Sequence, residues 1–254
     1  MSNEYIIPKI IHYCWLSCDP FPKKIQYCIN SWKKHCPDYE FIHWDLKKFP
    51  LDKSIWVKEA YEQKKYAFAA DYIRLYALYN FGGIYLDTDV EVIKSFDELL
   101  KYPQILCYEN SISKGLEVAA FGVPPQCNWV KKCLEYYENR HFIQEDGSYD
   151  STPLPQVVKK CLLEHNYRLL NISCPEDNSK VSDETDIAVL PYHYFSPKSL
   201  ITGELALSQN TYSIHHFAGS WLTPMQKFYL QVRDMFGFKT ANLISKAIKF
   251  IIRK

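Results

Sequence analysis

The sequence predicts an α/β fold: a single large domain, residues 1–235, with a short appendage at 236–254. Three observations carry this expectation. Stretches with strand character alternate with stretches of helical periodicity along the chain. The 254 residues include 47% hydrophobic and 23% charged side chains, which suits a packed core and excludes a disordered or collagen-like chain. No internal repeat or low-complexity linker divides the chain, and its 14 prolines are scattered. A chain of this length buries roughly 70–75% of its unfolded surface and needs no covalent staples.

Residues 6–15 form an apolar run broken by Pro8 and Lys9, which predicts a first buried strand. Asp19-Pro20-Phe21-Pro22 predicts a turn. Ile25, Ile29 and Trp32 recur at helical spacing and predict a helix over 25–34. The aromatic and β-branched segment 39–44 predicts a second strand. Residues 55–80 contain neither glycine nor proline and stop at Gly82-Gly83, predicting one long helix with a glycine cap. Residues 84–92 alternate almost without fault and predict one continuous strand. Further strands are expected at 104–108, 118–123, 187–190 and 212–217, and helices at 128–139 and 154–165.

Charge and cysteine usage narrow the function. Thirty Lys and Arg against 29 Asp and Glu leave no global basic field for nucleic acid. The balance is uneven, because the charged residues of 236–254 are all basic: Lys239, Lys246, Lys249, Arg253 and Lys254. The nine cysteines form no C-x-x-C pair, which argues against a zinc ribbon or a thioredoxin-like site. Met1-Ser2-Asn3-Glu4 opens no signal peptide, and with nine thiols this leads us to expect a reducing cytoplasm. No apolar run reaches the ~18 residues that a membrane span requires. Aromatics are abundant at 16%; they supply core and also suit sugar and base recognition.

The chemistry concentrates around Gly82-Gly83-Ile84-Tyr85-Leu86-Asp87-Thr88-Asp89. On the expected strand Ile84 and Leu86 face one way, and Tyr85, Asp87 and Asp89 the other. Two neighbouring carboxylates repel unless a cation lies between them, and oxygen ligands of this kind suit Mn²⁺ or Mg²⁺. An Asp-x-Asp triplet alone is weak, since chance supplies roughly half a match in a chain this long. The apolar strand entering it and the paired glycines before it strengthen it. On the preceding helix Asp71 and Arg74 share a face. They read either as an ordinary helical ion pair or, given their buried surroundings, as an arginine clamping a carboxylate or phosphate.

Three blocks occur in order: Ile7-Pro8-Lys9-Ile10-Ile11-His12-Tyr13-Cys14-Trp15, then Ala69-Ala70-Asp71-Tyr72-Ile73-Arg74 through Leu86-Asp87-Thr88-Asp89, and Ile214-His215-His216-Phe217-Ala218-Gly219-Ser220-Trp221. Together they resemble glycosyltransferase family 32, whose sugar-binding region carries an Asp-x-Asp motif. The resemblance implies a GT-A fold with a twisted central mixed sheet and a retaining, metal-dependent transfer from a nucleotide-sugar. It implies that Asp87 and Asp89 bind the cation, Asp71 holds donor-sugar hydroxyls and Arg74 meets the sugar–phosphate junction. Tyr85 would line the nucleoside pocket, and Trp15 would be either a stacking face for the base or ordinary core. His215 or His216 would add a nitrogen ligand; neighbours on a strand face opposite ways, so one of them should do so. Ser220 and Trp221 would reach phosphate oxygens. Phe217 stands where relatives often have Trp, a departure that bears on local packing. His12, on the alternate face of the first strand, reads as a core histidine.

The resemblance makes a UDP-hexose the expected donor, with galactose as the first guess. It makes the acceptor an oligosaccharide or lipid-linked chain of surface-polysaccharide (capsule or lipopolysaccharide) assembly. Two other readings stay open: a nucleotidyltransferase or nucleotide-sugar pyrophosphatase, and a non-catalytic carbohydrate-binding protein. The former would usually bring a basic or glycine-rich phosphate loop, and the latter would not need buried carboxylates. In 240–254 Ile244, Ala247, Ile248 and Ile251 share a helical face opposite Lys246, Lys249 and Arg253. Such a helix either lies on an anionic membrane surface or packs on its own domain. The localisation expected is therefore cytoplasmic, peripheral on the inner face of the membrane.

Overall fold

The computed structural model describes residues 5–109, 115–181, 183, 185–219 and 224–244. The main elements are, in order, β1 (Ile10–Cys14), α1 (Lys23–His35), β2 (Glu40–Trp44), α2 (Ile55–Glu62), α3 (Tyr66–Phe81), β3 (Gly83–Leu86), β4 (Val90–Val92), β5 (Ala120–Val123), α4 (Asn128–Tyr136), α5 (Leu154–Glu164), β6 (Arg168–Asn171), β7 (Asp186–Val189), β8 (Ser213–His215) and α6 (Pro224–Phe236). The central sheet has the order β2-β1-β3-β5. Its first three strands are parallel and β5 is antiparallel to β3. This is an α/β architecture, as the alternation of elements predicts, with the mixed central sheet that the family resemblance implies. Two smaller pairings flank it, β4 with β8 antiparallel and β6 with β7 parallel.

Layers follow from side-chain alternation in β3, all four of whose residues are buried. Ile84 and Leu86 join a core with Trp32 and Ile29 of α1, while Tyr85 joins the opposite core with Ala69, Ile73 and Leu78 of α3. Gly83 (φ +98°) lets β3 start hard against β1, because a Cβ there would lie 2.6 Å from the Ile10 carbonyl oxygen. Gly82 (φ +63°) ends α3, its N–H donating to the Leu78 carbonyl. These two glycines set the helix-to-strand turn from which the site is built.

The structure corrects three expectations. Residues 55–80 form two helices, because Lys64 takes a left-handed φ of 56°. The Lys65 N–H reaches the Ala60 carbonyl and the Lys64 N–H the Tyr61 carbonyl, the bond pair of a Schellman stop made without glycine. Residues 84–92 form two strands in different sheets, parted by a turn at Asp87-Thr88-Asp89. The short strand β6 adds to the expected set, since Arg168 to Asn171 shows only two apolar residues. Residues 105–108 make isolated bridges, Ile105 to Gly122 and Cys107 to Leu190, that link β5 to the end of β7. All nine cysteines are free. Among the described residues no helix is long and apolar enough to cross a membrane. Of the tail, 238–244 is helical with Ala241 buried and Leu243 exposed, and 245–254 lies outside the described residues.

Candidate functional site

Parallel β1, β2 and β3 end on one edge of the sheet, the side on which open α/β sheets bind ligands. Asp87 leaves β3 at that edge. Its N–H donates to the Ala119 carbonyl at 2.7 Å, and its own carbonyl accepts from the Val90 N–H at 3.0 Å, closing the turn. Asp89 sits at the far end of that turn, and β8 pairs His215 with Val90 beside it. Asp87, Asp89 and His215 thereby bring one ligand atom each within 4.8 Å of one another, although His215 is remote in sequence. Two carboxylates and an imidazole nitrogen are a donor set that fits a divalent cation such as Mn²⁺ or Mg²⁺.

Arg74 lies behind the carboxylates, with its side chain 5% exposed. Nη2 meets Asp71 Oδ1 at 3.0 Å and Asp87 Oδ1 at 3.2 Å; Nη1 donates to the Val118 carbonyl at 2.8 Å and to Asp87 Oδ2 at 3.4 Å. Nε donates to the Ala70 carbonyl at 3.4 Å. The Tyr85 ring lies under the guanidinium, 4.6 Å from centroid to carbon. Every N–H direction of the guanidinium is thus taken by the protein. In this arrangement it holds Asp71 and Asp87 in place.

Burial and charge act against each other here. Burial pushes Asp71 up to about 7, with Asp87 adding repulsion, even though Arg74 pairs with it. Burial likewise raises Asp87, opposed by Arg74. For His215 burial works against the charged ring, but Glu117, Asp89 and Asp87 outweigh it and lift the imidazole to about 10. A cation-free site therefore carries a positive charge on His215 beside that of Arg74, and a metal ion would compete with the His215 proton.

Other expected residues fall differently. Asp71, on α3, shares Arg74 with Asp87 and is brought to the cluster. Tyr85 is 1% exposed, so it lines no open pocket; it is core on which Arg74 rests. Trp15, just past β1, is partly buried at the same sheet edge, its ring 5.2 Å from Phe21 and its N–H donating to the Asp19 carbonyl. His216 is not brought to the cluster. Its Nε2 lies 2.9 Å from Glu91 Oε2, whose other oxygen accepts from Tyr27. The alternation along the strand turns it away from Asp89, which corrects its place in the expected ligand set. Ser220 and Trp221 lie outside the described residues. His12 is fully buried between the Trp44 indole N–H, which donates to Nδ1, and the Gly82 carbonyl, which accepts from Nε2; burial lowers it to about 4.

Sequence reasoning missed Glu117, whose side chain is 2% exposed and lies 3.2 Å from His215 Nδ1. The available signal was a lone acid inside the apolar run from Leu116 to Val123.

Several known proteins are similar to parts of this chain. Inositol phosphoceramide mannosyltransferase 3 of Schizosaccharomyces pombe is 32% identical over 159 residues, 60% of this chain and 44% of that protein. Mannosyl phosphorylinositol ceramide synthase SUR1 of Saccharomyces cerevisiae is 30% identical over 147 residues, 54% of this chain and 37% of that one. The chain thus spans less than half the length of these curated relatives. Among solved structures, the PaToxG glycosyltransferase superposes with a TM-score of 0.49 at 22% identity, covering 63% of this chain and 69% of that one. Residues 22–106, which hold α1 through Asp89, match the family described as the glycosyltransferase sugar-binding region containing DXD motif. Over those residues, with Asp87-Thr88-Asp89 standing at the DXD motif, the chain is similar to that glycosyltransferase family.

Proposed function

We propose that this chain is a metal-dependent, retaining glycosyltransferase that moves a hexose from a nucleoside-diphosphate sugar to an acceptor hydroxyl. The observation that carries the reading is the convergence of Asp87, Asp89 and His215 at the carboxyl edge of the parallel strands. These three residues would hold the cation. When bound, it supplies a fixed positive charge that offsets the charge growing on the departing nucleoside diphosphate. Arg74 keeps Asp71 and Asp87 in register, and Asp71, held between its two protonation states near neutral pH, faces donor-sugar hydroxyls as either partner in a hydrogen bond. Trp15 offers a ring at the same edge for the nucleobase. Trp221 and Ser220 remain proposed phosphate contacts from the family pattern.

The names of the curated relatives favour mannose over the galactose first expected, and a lipid head group over a capsular chain as acceptor. The proposal includes a peripheral location at the inner membrane face through the segment 236–254. A panel of UDP- and GDP-sugars with Mn²⁺, followed by release of free nucleotide, tests the activity. Slow hydrolysis of one donor that disappears in Asp89→Ala is expected; no release from any donor, with or without phosphoinositol-lipid acceptors, contradicts the reading. Flotation with anionic vesicles before and after removal of the residues beyond Gly237 tests the tail, and unchanged binding removes its membrane role.

A further inference from the structure

We infer that Glu117 is a positioning residue that decides which ring nitrogen of His215 faces the cation. The inference rests on the cation site proposed above. Glu117 precedes β5, and both of its carboxylate oxygens are engaged. Oε1 accepts from the Ala119 N–H at 2.8 Å, and Oε2 lies 3.2 Å from His215 Nδ1. A carboxylate only accepts, so Nδ1 carries a hydrogen, and Nε2 is the nitrogen whose proton a cation would displace to gain a lone pair. Nε2 is the nitrogen turned toward the acidic pair, 3.6 Å from Asp89 Oδ1. Asp87 also brings a carboxylate oxygen to the ligand cluster, and Phe217 packs on the ring at 4.0 Å between centroids without a polar side-chain atom.

The backbone of the same segment reaches the rest of the cluster. Val118 offers its carbonyl to Arg74, and Ala119 offers its carbonyl to the Asp87 N–H. Glu117 is anchored in turn, its N–H donating to the Cys107 carbonyl. Three consecutive residues thus orient His215, Arg74 and Asp87 together. The adjacent His216 shows the contrast: there the acid, Glu91, occupies Nε2 itself.

Glu117→Gln makes the inference testable, because it changes one acceptor into a donor at nearly constant shape. The buried Ala119 N–H still requires an acceptor, so the glutamine carbonyl turns to it and the amide NH₂ faces Nδ1. Nδ1 must then accept, which moves the hydrogen to Nε2 and removes the lone pair that a cation needs. We expect Mn²⁺ affinity, measured by the free-ion EPR signal, to fall about 10- to 100-fold in Glu117→Gln. Glu91→Gln should leave it unchanged. In wild type saturated with Mg²⁺, long-range ¹⁵N–¹H NMR should show His215 protonated at Nδ1 alone. That readout needs no variant to fold, and a merely structural role for Glu117 does not dictate it. Equal Mn²⁺ affinity in folded Glu117→Gln and wild type, or a His215 ring carrying hydrogen at Nε2 and none at Nδ1 in the Mg²⁺-saturated wild type, overturns the inference while leaving the cation site standing. Wild type that takes up no Mn²⁺ at all overturns the site, and this inference with it.

Discussion

Two histidines are largely withdrawn from solvent, and their surroundings send them in opposite directions. His12 sits between β2 and the turn at Gly82, where an indole N–H and a carbonyl satisfy both ring nitrogens and burial holds the ring neutral, near 4. His215, its side chain 14% exposed, sits among Glu117, Asp89 and Asp87, and those charges outweigh its burial and lift it to about 10. Burial alone does not make a site. What separates the two regions is whether the hydrogen-bond partners are neutral and complete, or anionic and in excess of the cations present. The His12 region serves packing; the His215 region is left with charge for something else to balance.

Removing the permanent cation from the ionic region should produce the largest effect. Arg74→Ala leaves buried Asp71 and half-buried Asp87 without their partner, and chemical denaturation should show a loss of about 3–5 kcal/mol. Arg74→Lys should recover only part of it, because a point charge cannot span Asp71, Asp87 and the Val118 carbonyl. Full recovery by lysine would mean that charge alone suffices.

The acid limb of stability should report the neutral region. In the unfolded chain His12 returns to its ordinary value of 6.5, while the fold holds it near 4. Between those values the unfolded state binds more protons, so stability falls as pH drops from 6.5 to 4, by up to about 3 kcal/mol. In chelator-treated protein His215 acts with the opposite sign: its contribution is fully present below pH 6.5 and is lost as pH rises through about 10. Denaturation across pH for wild type, His12→Phe and His215→Asn separates the two limbs. Identical pH profiles for the two variants would break the contrast.

The smallest change sharpens it. Trp44→Phe removes the N–H that satisfies His12 Nδ1, at 3.1 Å, and should cost about 1–2 kcal/mol while leaving Mn²⁺ affinity as it was. A matching loss of Mn²⁺ binding would show that the two regions are coupled.

The part of the site written in contiguous sequence was legible. Asp71 with Arg74, and Asp87 with Asp89, lie close in sequence and were legible as pairs from local patterns, and the family resemblance joined the two pairs into one site. The layer architecture was legible for the same reason. The Asp87-Thr88-Asp89 turn was not, because apolar alternation continues unbroken from Ile84 into Val92 and only pairing with β8 shows that the strand changes sheet. The stop between α2 and α3 was hidden because Lys64 adopts the left-handed conformation that normally announces itself with glycine. Glu117 and the choice between His215 and His216 depend on contacts across about a hundred positions of chain, which no local period encodes.

The central claim is that Asp87, Asp89 and His215 together hold one divalent cation. Mn²⁺ titration followed by EPR tests it most directly, on wild type, Asp89→Asn and His215→Ala, each checked for native fold by circular dichroism. The account predicts a single site in wild type, weakened at least about 100-fold in both variants. A wild type without a saturable site, or variants that bind Mn²⁺ as tightly as wild type, would contradict it.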